Sequence, residues 1–442
     1  MRRHYLVSAI LLLLTLIYFP LRDYGTLEPK QLQTILVFIA LFLMLAMEYR
    51  HRTVVSLTSL VILWLLGIMK GEDMIHYLDL HVLGLLFGMM VIVESLREAG
   101  FLSILVRALI SLGFRKIYHL TIALSLFTLI TSAFLYNATV MLIIIPVTLG
   151  ICETLNLGRA VVPILIALNI SSNIGGALTP VGDPPNIMAY SHLHISFIDF
   201  ILSISPPALL IYMISLAAIM TIFRREMVIE IKDKNSGEKL KIENKFFLLV
   251  SVLILASVLI LFFLQDITGI TPATSALYGA TLLMIVGGRR MVPILKELNW
   301  DLLIFLGSIL VFSGSLEKVG ILHSLAQAIF KSTYGNLHIL ITLIVWLSSL
   351  ISAFVDNIPY AAVMIPAIDE LVDLTGYYEL WWVFLISVSL GGIATPIASL
   401  PSLLIYSVLR DKFGLKFIDF MKIGLFMLII LNLSLNIYYL LL

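Results

Sequence analysis

Two segments of this chain occur twice, and each copy places helix-breaking or polar residues inside an apolar stretch. The run Ser132–Val147 (SAFLYNATVMLIIIPV) returns 220 residues later as Ser352–Ala367 (SAFVDNIPYAAVMIPA). The run Gly175–Tyr190 (GGALTPVGDPPNIMAY) returns 216 residues later as Gly391–Tyr406 (GGIATPIASLPSLLIY). Interrupted backbone in an apolar environment is tolerated only where it is buried in protein or lines a cavity. The repeats therefore predict discontinuous helices around a buried binding site.

The composition places this chain in a membrane. Of its 442 residues, 60% are hydrophobic and only 12% are charged, whereas soluble domains carry roughly 25% charged residues. A net charge of +1 without a basic face excludes nucleic acid as a partner and leaves the lipid bilayer. The single cysteine, Cys152, excludes an internal disulfide and a Cys-based metal site. We predict an all-α polytopic membrane protein with about 11 transmembrane helices.

The apolar runs divide the chain into two similar halves. We predict an N-terminal helix and loop at 1–30, a first repeat at 31–222, a cytoplasmic linker at 223–245 and a second repeat at 246–442. Each repeat is expected to contain five crossing helices, a re-entrant hairpin and a Gly/Pro-broken helix. The hairpins are predicted at 118–155 and 336–368, and the broken helices at 160–192 and 380–409.

The charged loops predict how the two repeats are oriented. Lys and Arg favour the cytoplasmic side, and the loops sort consistently when the N-terminus is inside and the C-terminus outside, with Arg50 and Arg52 in a cytoplasmic loop. Five crossings per repeat then turn the second repeat upside down, so that the hairpin tips meet near the middle of the membrane. No Lys or Arg falls in the middle of a predicted span.

The hairpin tips supply the first candidate ligands. Asn137 and Asn357 occupy the two tips, with the hydroxyls of Ser132, Thr139 and Ser352 nearby. An asparagine there can cap the helix that follows, or its oxygen can bind a hard cation such as sodium. The sequence leaves both roles open.

The broken helices supply the second group. Glycines and prolines make a continuous helix costly at both places, and Asp183 followed by Pro184 is typical of an N-cap that restarts a helix. The candidates are Gly175, Gly176, Thr179, Asp183 and Asn186 in the first break, and Gly391, Gly392, Thr395 and Ser399 in the second.

Two carboxylates break the symmetry of the repeats. Asp356 corresponds to Tyr136, and Asp183 corresponds to Ser399. An acidic residue inside a membrane is a functional candidate by default. Asp183 could be only an N-cap, and Asp356 could be a protonated, hydrogen-bonded carboxyl. The alternative is that one or both bind a proton or a sodium ion.

These motifs resemble a known family. The runs Cys152–Leu157 (CETLNL), Ser172–Met188 (SNIGGALTPVGDPPNIM) and Ser352–Pro366 (SAFVDNIPYAAVMIP) are similar to those of the ion transporter superfamily. That superfamily joins arsenite permeases, NhaD-type sodium/proton antiporters, the P protein and the divalent anion/sodium symporters. The chain differs in having Tyr136 where P-protein-like relatives have an acidic residue, and Ile358-Pro359 where the symporters have Thr-Ala.

The resemblance implies two inverted five-helix repeats, often in a homodimer that moves its transport domain like an elevator. It also implies sodium sites, with Asn137, Gly176, Asp356, Asn357 and Gly392 as the candidate sodium ligands here. The full implied sets are Ser132, Tyr136, Asn137 and Gly176 at one site, and Ser352, Asp356, Asn357 and Gly392 at the other. An arsenite-permease-like chain would in addition have a cytoplasmic ATPase subunit as a partner.

We therefore expect a multi-pass transporter of the plasma membrane, the inner membrane of a bacterial cell. It would move a small anion or an arsenite-like oxyacid, with a sodium ion or a proton as the coupling ion and no other cofactor. The alternatives are a sodium/proton antiporter and a channel-like protein. Nucleophile elbows, P-loops and H-E-x-x-H motifs are absent from the sequence, which argues against an enzyme.

Overall fold

The computed structural model describes residues 28–47, 51–101, 104, 116–155, 157–193, 195–229 and 245–441. The predicted N-terminal helix and most of the predicted linker lie outside these residues. Seventeen helices of ten or more residues form the described part of the chain. They are α1 (Pro29–Ala46), α2 (Arg52–Leu65), α3 (Leu80–Glu98), α4 (Ile117–Phe134), α5 (Asn137–Thr154), α6 (Val161–Ala177), α7 (Pro184–Leu193), α8 (Phe197–Ile222), α9 (Lys245–Phe263), α10 (Pro272–Gly287), α11 (Trp300–Lys318), α12 (Ile321–Ser332), α13 (Leu337–Phe354), α14 (Asn357–Thr375), α15 (Glu379–Gly391), α16 (Leu400–Phe413) and α17 (Phe417–Leu441). Shorter helical turns at Gly71–His76, Arg224–Met227, Gln265–Thr268 and Met291–Glu297 join some of them.

The helices have the length and apolar character of membrane spans. Within the described residues, eight helical segments are long and apolar enough to cross a bilayer, and four shorter apolar helices accompany them. Large apolar side chains such as Leu65, Ile285 and Ile437 are exposed on the outer surface, where lipid would cover them. The prediction of an all-α polytopic membrane protein is confirmed.

Two helical hairpins turn in the same way. Helix α4 ends at Phe134 and α13 at Phe354, and the next residue in each chain segment is extended, with φ −124° and ψ 142° at Leu135 and φ −124° and ψ 138° at Val355. The return helices α5 and α14 then begin at Asn137 and Asn357. Helix α14 continues to 375, beyond the predicted end at 368, because the acidic residues there end the apolar run without ending the helix.

Both broken helices open at their Gly-Gly pairs. Helix α6 ends at Ala177 and its continuation α7 begins at Pro184, while α15 ends at Gly391 and α16 begins at Leu400. Proline is accommodated at these restarts because the first turn of a helix has no partner for its backbone N–H groups. Ser399 caps α16 by accepting a hydrogen bond at its Oγ from the backbone N of Ser402, at 3.4 Å.

Each hairpin packs on the broken helix of its own half through a glycine. Helix α4 packs along α6, and α13 packs along α15. A Cβ atom at Gly175 would lie 2.4 Å from the carbonyl oxygen of Leu129, and one at Gly391 would lie 2.5 Å from the carbonyl oxygen of Ser349. Because backbone meets backbone at these places, no side chain larger than hydrogen fits there without displacing a helix.

The two halves contact each other through helix pairs, each made of one helix from the first half and one from the second. Helix α3 packs against α10, and α11 packs against α2, while α6 meets α15 and α8 meets α17. Gly88 allows the α3–α10 contact, since a Cβ atom there would lie 2.7 Å from the carbonyl oxygen of Ala276. Each half therefore contributes the same kind of helix to the boundary between them.

Helix α12 is an element that the apolar runs did not predict. It is amphipathic, and Leu322, Ala326 and Ile329 are its buried residues. It packs against α14, and His323 Nδ1 lies 2.6 Å from a carboxylate oxygen of Glu370. A helix with one apolar face has too few apolar residues to register as a span, although it packs well on the side of a hairpin.

The glycine contacts predict a stability difference between similar substitutions. Gly175→Ala and Gly391→Ala should each lower stability by about 1 to 3 kcal/mol, the usual cost of overpacking. Gly150→Ala is the matched control because it lies in α5 and a Cβ atom there meets nothing within 4 Å. Thermal unfolding in detergent measures all three. Equal unfolding temperatures for Gly175→Ala and Gly150→Ala would show that the α4–α6 contact is loose.

Candidate functional site

Both hairpin tips and both helix breaks meet around one small cavity between the halves. The lining side chains come from the first tip, the second tip, the loop before α7 and the start of α16. They are Tyr136, Asn137, Asp183, Asp356, Asn357, Ile358, Ser399, Leu400 and Pro401. Six of these are residues that the sequence nominated: Tyr136, Asn137, Asp183, Asp356, Asn357 and Ser399.

The tips and breaks of each half hold one another by matching backbone hydrogen bonds. In the first half, the backbone N of Asn137 donates to the carbonyl of Gly182 at 3.3 Å. In the second half, the backbone N of Asn357 donates to the carbonyl of Ala398, also at 3.3 Å. Groups freed by interrupting one element are thus satisfied by the other, as a buried backbone requires.

Two nominated threonines reinforce this connection. The hydroxyl of Thr179 donates to the carbonyl of Ala133, and the hydroxyl of Thr395 donates to the carbonyl of Ala353. Each bond joins a helix break to the hairpin tip of the same half. Both hydroxyl hydrogens are therefore committed to backbone, and neither threonine lines the cavity.

The asparagines at the tips are not the capping residues. The N-cap positions are Tyr136 and Asp356, and Oδ1 of Asp356 accepts from the backbone N of Ile358 at 3.0 Å. The side chains of Asn137 and Asn357 do not cap these helices, and both residues line the cavity. Of the two roles that the sequence left open, these side chains do not perform the capping role, and ligand binding stays a prediction.

Asp183 connects the two halves. Its Oδ2 accepts a hydrogen bond from Nδ2 of Asn357 at 3.0 Å, across 174 residues of sequence. Both residues are buried, at 2% and 4% exposure. A buried carboxylate requires such a partner. Asp183 is thus more than the N-cap that its position before Pro184 suggests.

Gly176 is flanked by side chains from the tip and the break. A Cβ atom at Gly176 would lie 3.2 Å from Nδ2 of Asn137 and 3.3 Å from Cβ of Asp183. At the equivalent place in the second half, a Cβ atom at Gly392 would lie 2.6 Å from Oδ1 of Asn173. Both glycines therefore bring backbone close to polar side chains next to the cavity.

Asn186 stabilises the first break from inside. Its Nδ2 lies 3.2, 2.7 and 2.9 Å from the carbonyl oxygens of Gly176, Ala177 and Thr179. These carbonyls lack the helical partners that they would have if α6 continued. Its Oδ1 is buried and has no hydrogen-bond donor among the described residues. In the second half, the hydroxyls of Ser399 and Ser402 donate to the carbonyl of Gly392 at 2.8 and 2.6 Å.

The remaining nominated residues support the site without lining it. Ser132 Oγ lies 3.4 Å from Ser172 Oγ, and Ser352 Oγ donates to the carbonyl of Val388 at 2.9 Å. Gly175 and Gly391 make the backbone contacts with α4 and α13 described above. Thr139 lies within the first turn of α5 and outside the cavity lining.

The sequence did not predict the positive charge at this site. Arg52, at the start of α2, has its Nε 2.9 Å from Oδ2 of Asp301 and its Nη1 3.7 Å from Oδ2 of Asp356. The cytoplasmic-loop interpretation of Arg52 therefore misses its contact with a hairpin tip. Asp356 likewise has a cationic neighbour, which the absence of Lys and Arg from the predicted spans did not reveal.

One signal in the sequence could have pointed to this pair. At the repeat spacing of 220 residues, Arg52 corresponds to Pro272, and Asp301 corresponds to His81. Both residues are thus exceptions to the repeat, like Asp356 and Asp183. Arg52 stands in the basic run YRHR, however, and such runs normally mark a cytoplasmic loop.

The oxygen atoms around the cavity suit a hard monovalent cation. Asp183 and Asp356 provide carboxylates, and Asn137 and Asn357 provide amide oxygens beside the carbonyl-rich ends of broken helices, which is how transporters bind sodium. Among the described residues, no group of three or more His, Cys, Asp or Glu side chains is arranged to hold a metal ion.

Comparison with known proteins agrees with these features. A family model described as a citrate transporter (CitMHS) matches residues 39–387. An uncharacterized transporter of Mycobacterium tuberculosis is 32% identical, over 85% of this chain and 90% of that protein. The 46 kDa membrane protein of Mycobacterium leprae is 29% identical over the same shares. The human P protein is 25% identical, over 92% of this chain and 59% of its own length.

These matches confirm the resemblance to the ion transporter superfamily on its P-protein side. The family model spans both hairpins and the first broken helix, which contribute six of the nine residues that line the cavity. The chain is a multi-pass membrane transporter and belongs to the citrate transporter family.

Proposed function

We propose that this chain is a secondary active transporter that moves a small anion or an arsenite-like oxyacid by alternating access. Transport is coupled to a sodium or proton gradient across the plasma membrane. The observation that carries the proposal is the convergence of both hairpin tips and both helix restarts on one cavity. Binding sites between discontinuous helices of two repeats are the general design of secondary transporters.

The helix ends at the cavity favour an anion. Helices α5, α7, α14 and α16 all begin at residues that line or adjoin it. The N-terminal end of a helix carries a partial positive charge, and such ends bind anions. Four of them directed at one place, with Arg52 beside Asp356, attract an anion without a lysine or arginine in the middle of a span.

The charges favour binding of a cation before the anion. Asp183 and Asp356 bring two carboxylates to the cavity, and Arg52 brings one guanidinium that is shared with Asp301. An anion entering alone would meet excess negative charge. A sodium ion or a proton removes that repulsion, and Asn137, Gly176, Asp356, Asn357 and Gly392 are the proposed ligands for sodium.

A sodium/proton antiporter is the second candidate. It is favoured by Asp356, whose Oδ1 is used for capping while Oδ2 lies beside a cavity at a side-chain exposure of 25%. A carboxylate that is accessible in this way can exchange a proton for sodium without any anion. A channel would use the same cavity as a pore.

Flux in proteoliposomes separates these functions. We expect uptake of at least one anion from a panel of citrate, phosphate and arsenite, driven by an inward sodium or proton gradient and saturating with the anion. The same anion should raise the unfolding temperature of the purified chain more strongly when the coupling cation is present. Sodium-driven pH change with no anion added would select the antiporter, and non-saturating flux would select the channel.

Removing the bond between the halves should stop transport. Asn357→Ala removes one of the two asparagine side chains that hydrogen-bond buried Asp183, which costs about 1 to 3 kcal/mol, and we expect uptake to fall by roughly tenfold or more. Asn436→Ala is the control, because the side chain of Asn436 also joins two helices, α13 and α17. It accepts a hydrogen bond from the hydroxyl of Thr342 at 3.1 Å. Uptake and unfolding temperature are measured for both. Normal uptake in Asn357→Ala would leave this bond without a role in transport.

Removing the charge at the second tip should uncouple transport. Asp356→Asn keeps an oxygen that can accept from the backbone N of Ile358, so the fold should be retained. We expect uptake to lose its dependence on sodium or pH, since the exchangeable negative charge is gone. Sodium and pH titrations of uptake test this, and an unchanged dependence would assign the coupling ion to another residue.

A further inference from the structure

Arg52 lies between two carboxylates that are held very differently. On one side, Asp301 is fixed: its carboxylate accepts from Arg52 Nε at 2.9 Å and from the hydroxyl of Thr53, and His51 Nδ1 lies 3.2 Å from it. On the other side, Asp356 uses Oδ1 to cap α14 and leaves Oδ2 beside the cavity. The guanidinium is thus anchored at Asp301 and only approaches Asp356.

The distance to Asp356 is important for what can bind there. Arg52 Nη1 is 3.7 Å from Asp356 Oδ2, which is longer than a hydrogen bond between charged groups. The guanidinium therefore neutralises the carboxylate electrostatically but does not occupy its oxygen. A small cation can reach that oxygen and must then compete with the positive charge of Arg52.

The two carboxylates belong to different parts of the fold. Arg52 and Asp301 lie in the first turns of helices α2 and α11, which pack against each other. Asp356 belongs to the tip of the second hairpin, which is connected to the break after α15. The Arg52–Asp356 contact therefore crosses from a helix pair outside the hairpins to a hairpin tip. The first tip has Tyr136 instead of an acidic residue, so this contact between an arginine and a carboxylate is found at the second tip and not at the first.

We propose that Arg52 is an exchangeable counter-ion: it balances Asp356 when the coupling cation is absent and is held by Asp301 alone when sodium binds Asp356. Asp301 is then a positioning residue that sets how strongly Arg52 competes. This inference rests on the proposed cation coupling and names the group that the cation displaces. Because arginine keeps its charge at any physiological pH, the competition has constant strength.

The exchange predicts opposite effects of two substitutions. Arg52→Gln removes the competitor, so the half-saturating concentration of the coupling cation should fall about tenfold, the usual scale of coupling between neighbouring sites. Asp301→Asn releases Arg52 towards Asp356, so the same concentration should rise severalfold. In the double variant, Asp301 has nothing to position, and the value should equal that of Arg52→Gln.

The experiment uses the purified full chain in detergent, without any anion. Binding of ²²Na⁺ is titrated at fixed pH. The charged and titratable groups around the exchange are Tyr136 and Asp183 in the cavity, Asp356 itself, and His51 and Asp301 beside Arg52. Variants at Asp356 serve to assign the titration to that carboxylate.

A matched control uses an arginine in a similar pair elsewhere. Arg97 pairs with Glu94 within α3 and lies 3.6 Å from Glu297. Arg97→Gln should leave the sodium titration unchanged. If Arg52→Gln does not fold, Arg52→Lys and Asp301→Asn decide the sign instead, since a lysine offers one donor head and competes less effectively.

The outcomes separate this inference from the function on which it rests. A wild-type chain that does not bind sodium would overturn the proposed sodium coupling itself. A wild-type response that is unchanged in both variants, or that shifts in the same direction in both, would overturn the exchange and leave the coupling standing. Opposite shifts, with the double variant matching Arg52→Gln, would establish it.

Discussion

Buried backbone groups that have lost their helical partners are the constraint on which this structure depends. Two hairpins and two broken helices leave such groups inside an apolar protein, where each unsatisfied group is costly. The chain resolves this locally by bonding each tip to the break in its own half, through Asn137 to Gly182 and Asn357 to Ala398. Each tip is therefore held against the break of its own half at the boundary between the halves, and a polar cavity follows from that arrangement.

The shared scaffold carries unequal chemistry. Ser399 turns towards the carbonyl of Gly392 in its own half, whereas its counterpart Asp183 accepts from Asn357 in the other half. Tyr136 and Asp356 both precede a return helix, but only Asp356 brings a charge. The backbone contacts repeat because they satisfy the same geometric need twice. The side chains differ at the cavity, where neither Asp183 nor Asp356 has an acidic counterpart in the other half.

Local residue chemistry explains what the sequence could predict. A Gly-Gly pair followed closely by prolines makes a continuous helix costly, so both breaks could be placed from sequence. The polar interruptions at Asn137 and Asn357 likewise placed both hairpins, and six of the nominated residues line the cavity. The Arg52–Asp301 pair joins residues 249 positions apart, and no local pattern encodes such a contact. The hydroxyls of Thr179 and Thr395 were also indistinguishable from ligands, because a buried donor to backbone and a binding residue have the same side chain.

The close approach of Gly175 to Leu129 and of Gly391 to Ser349 has a mechanical consequence. Backbone atoms in contact cannot slide past each other without a clash, so each hairpin and its broken helix must shift as one rigid block. Distances inside a block, such as that between α4 and α6, would stay constant in any movement of the helices. Relative displacement would then fall on the outer surfaces of each block, such as those where α7 meets α3 and α14 meets α11.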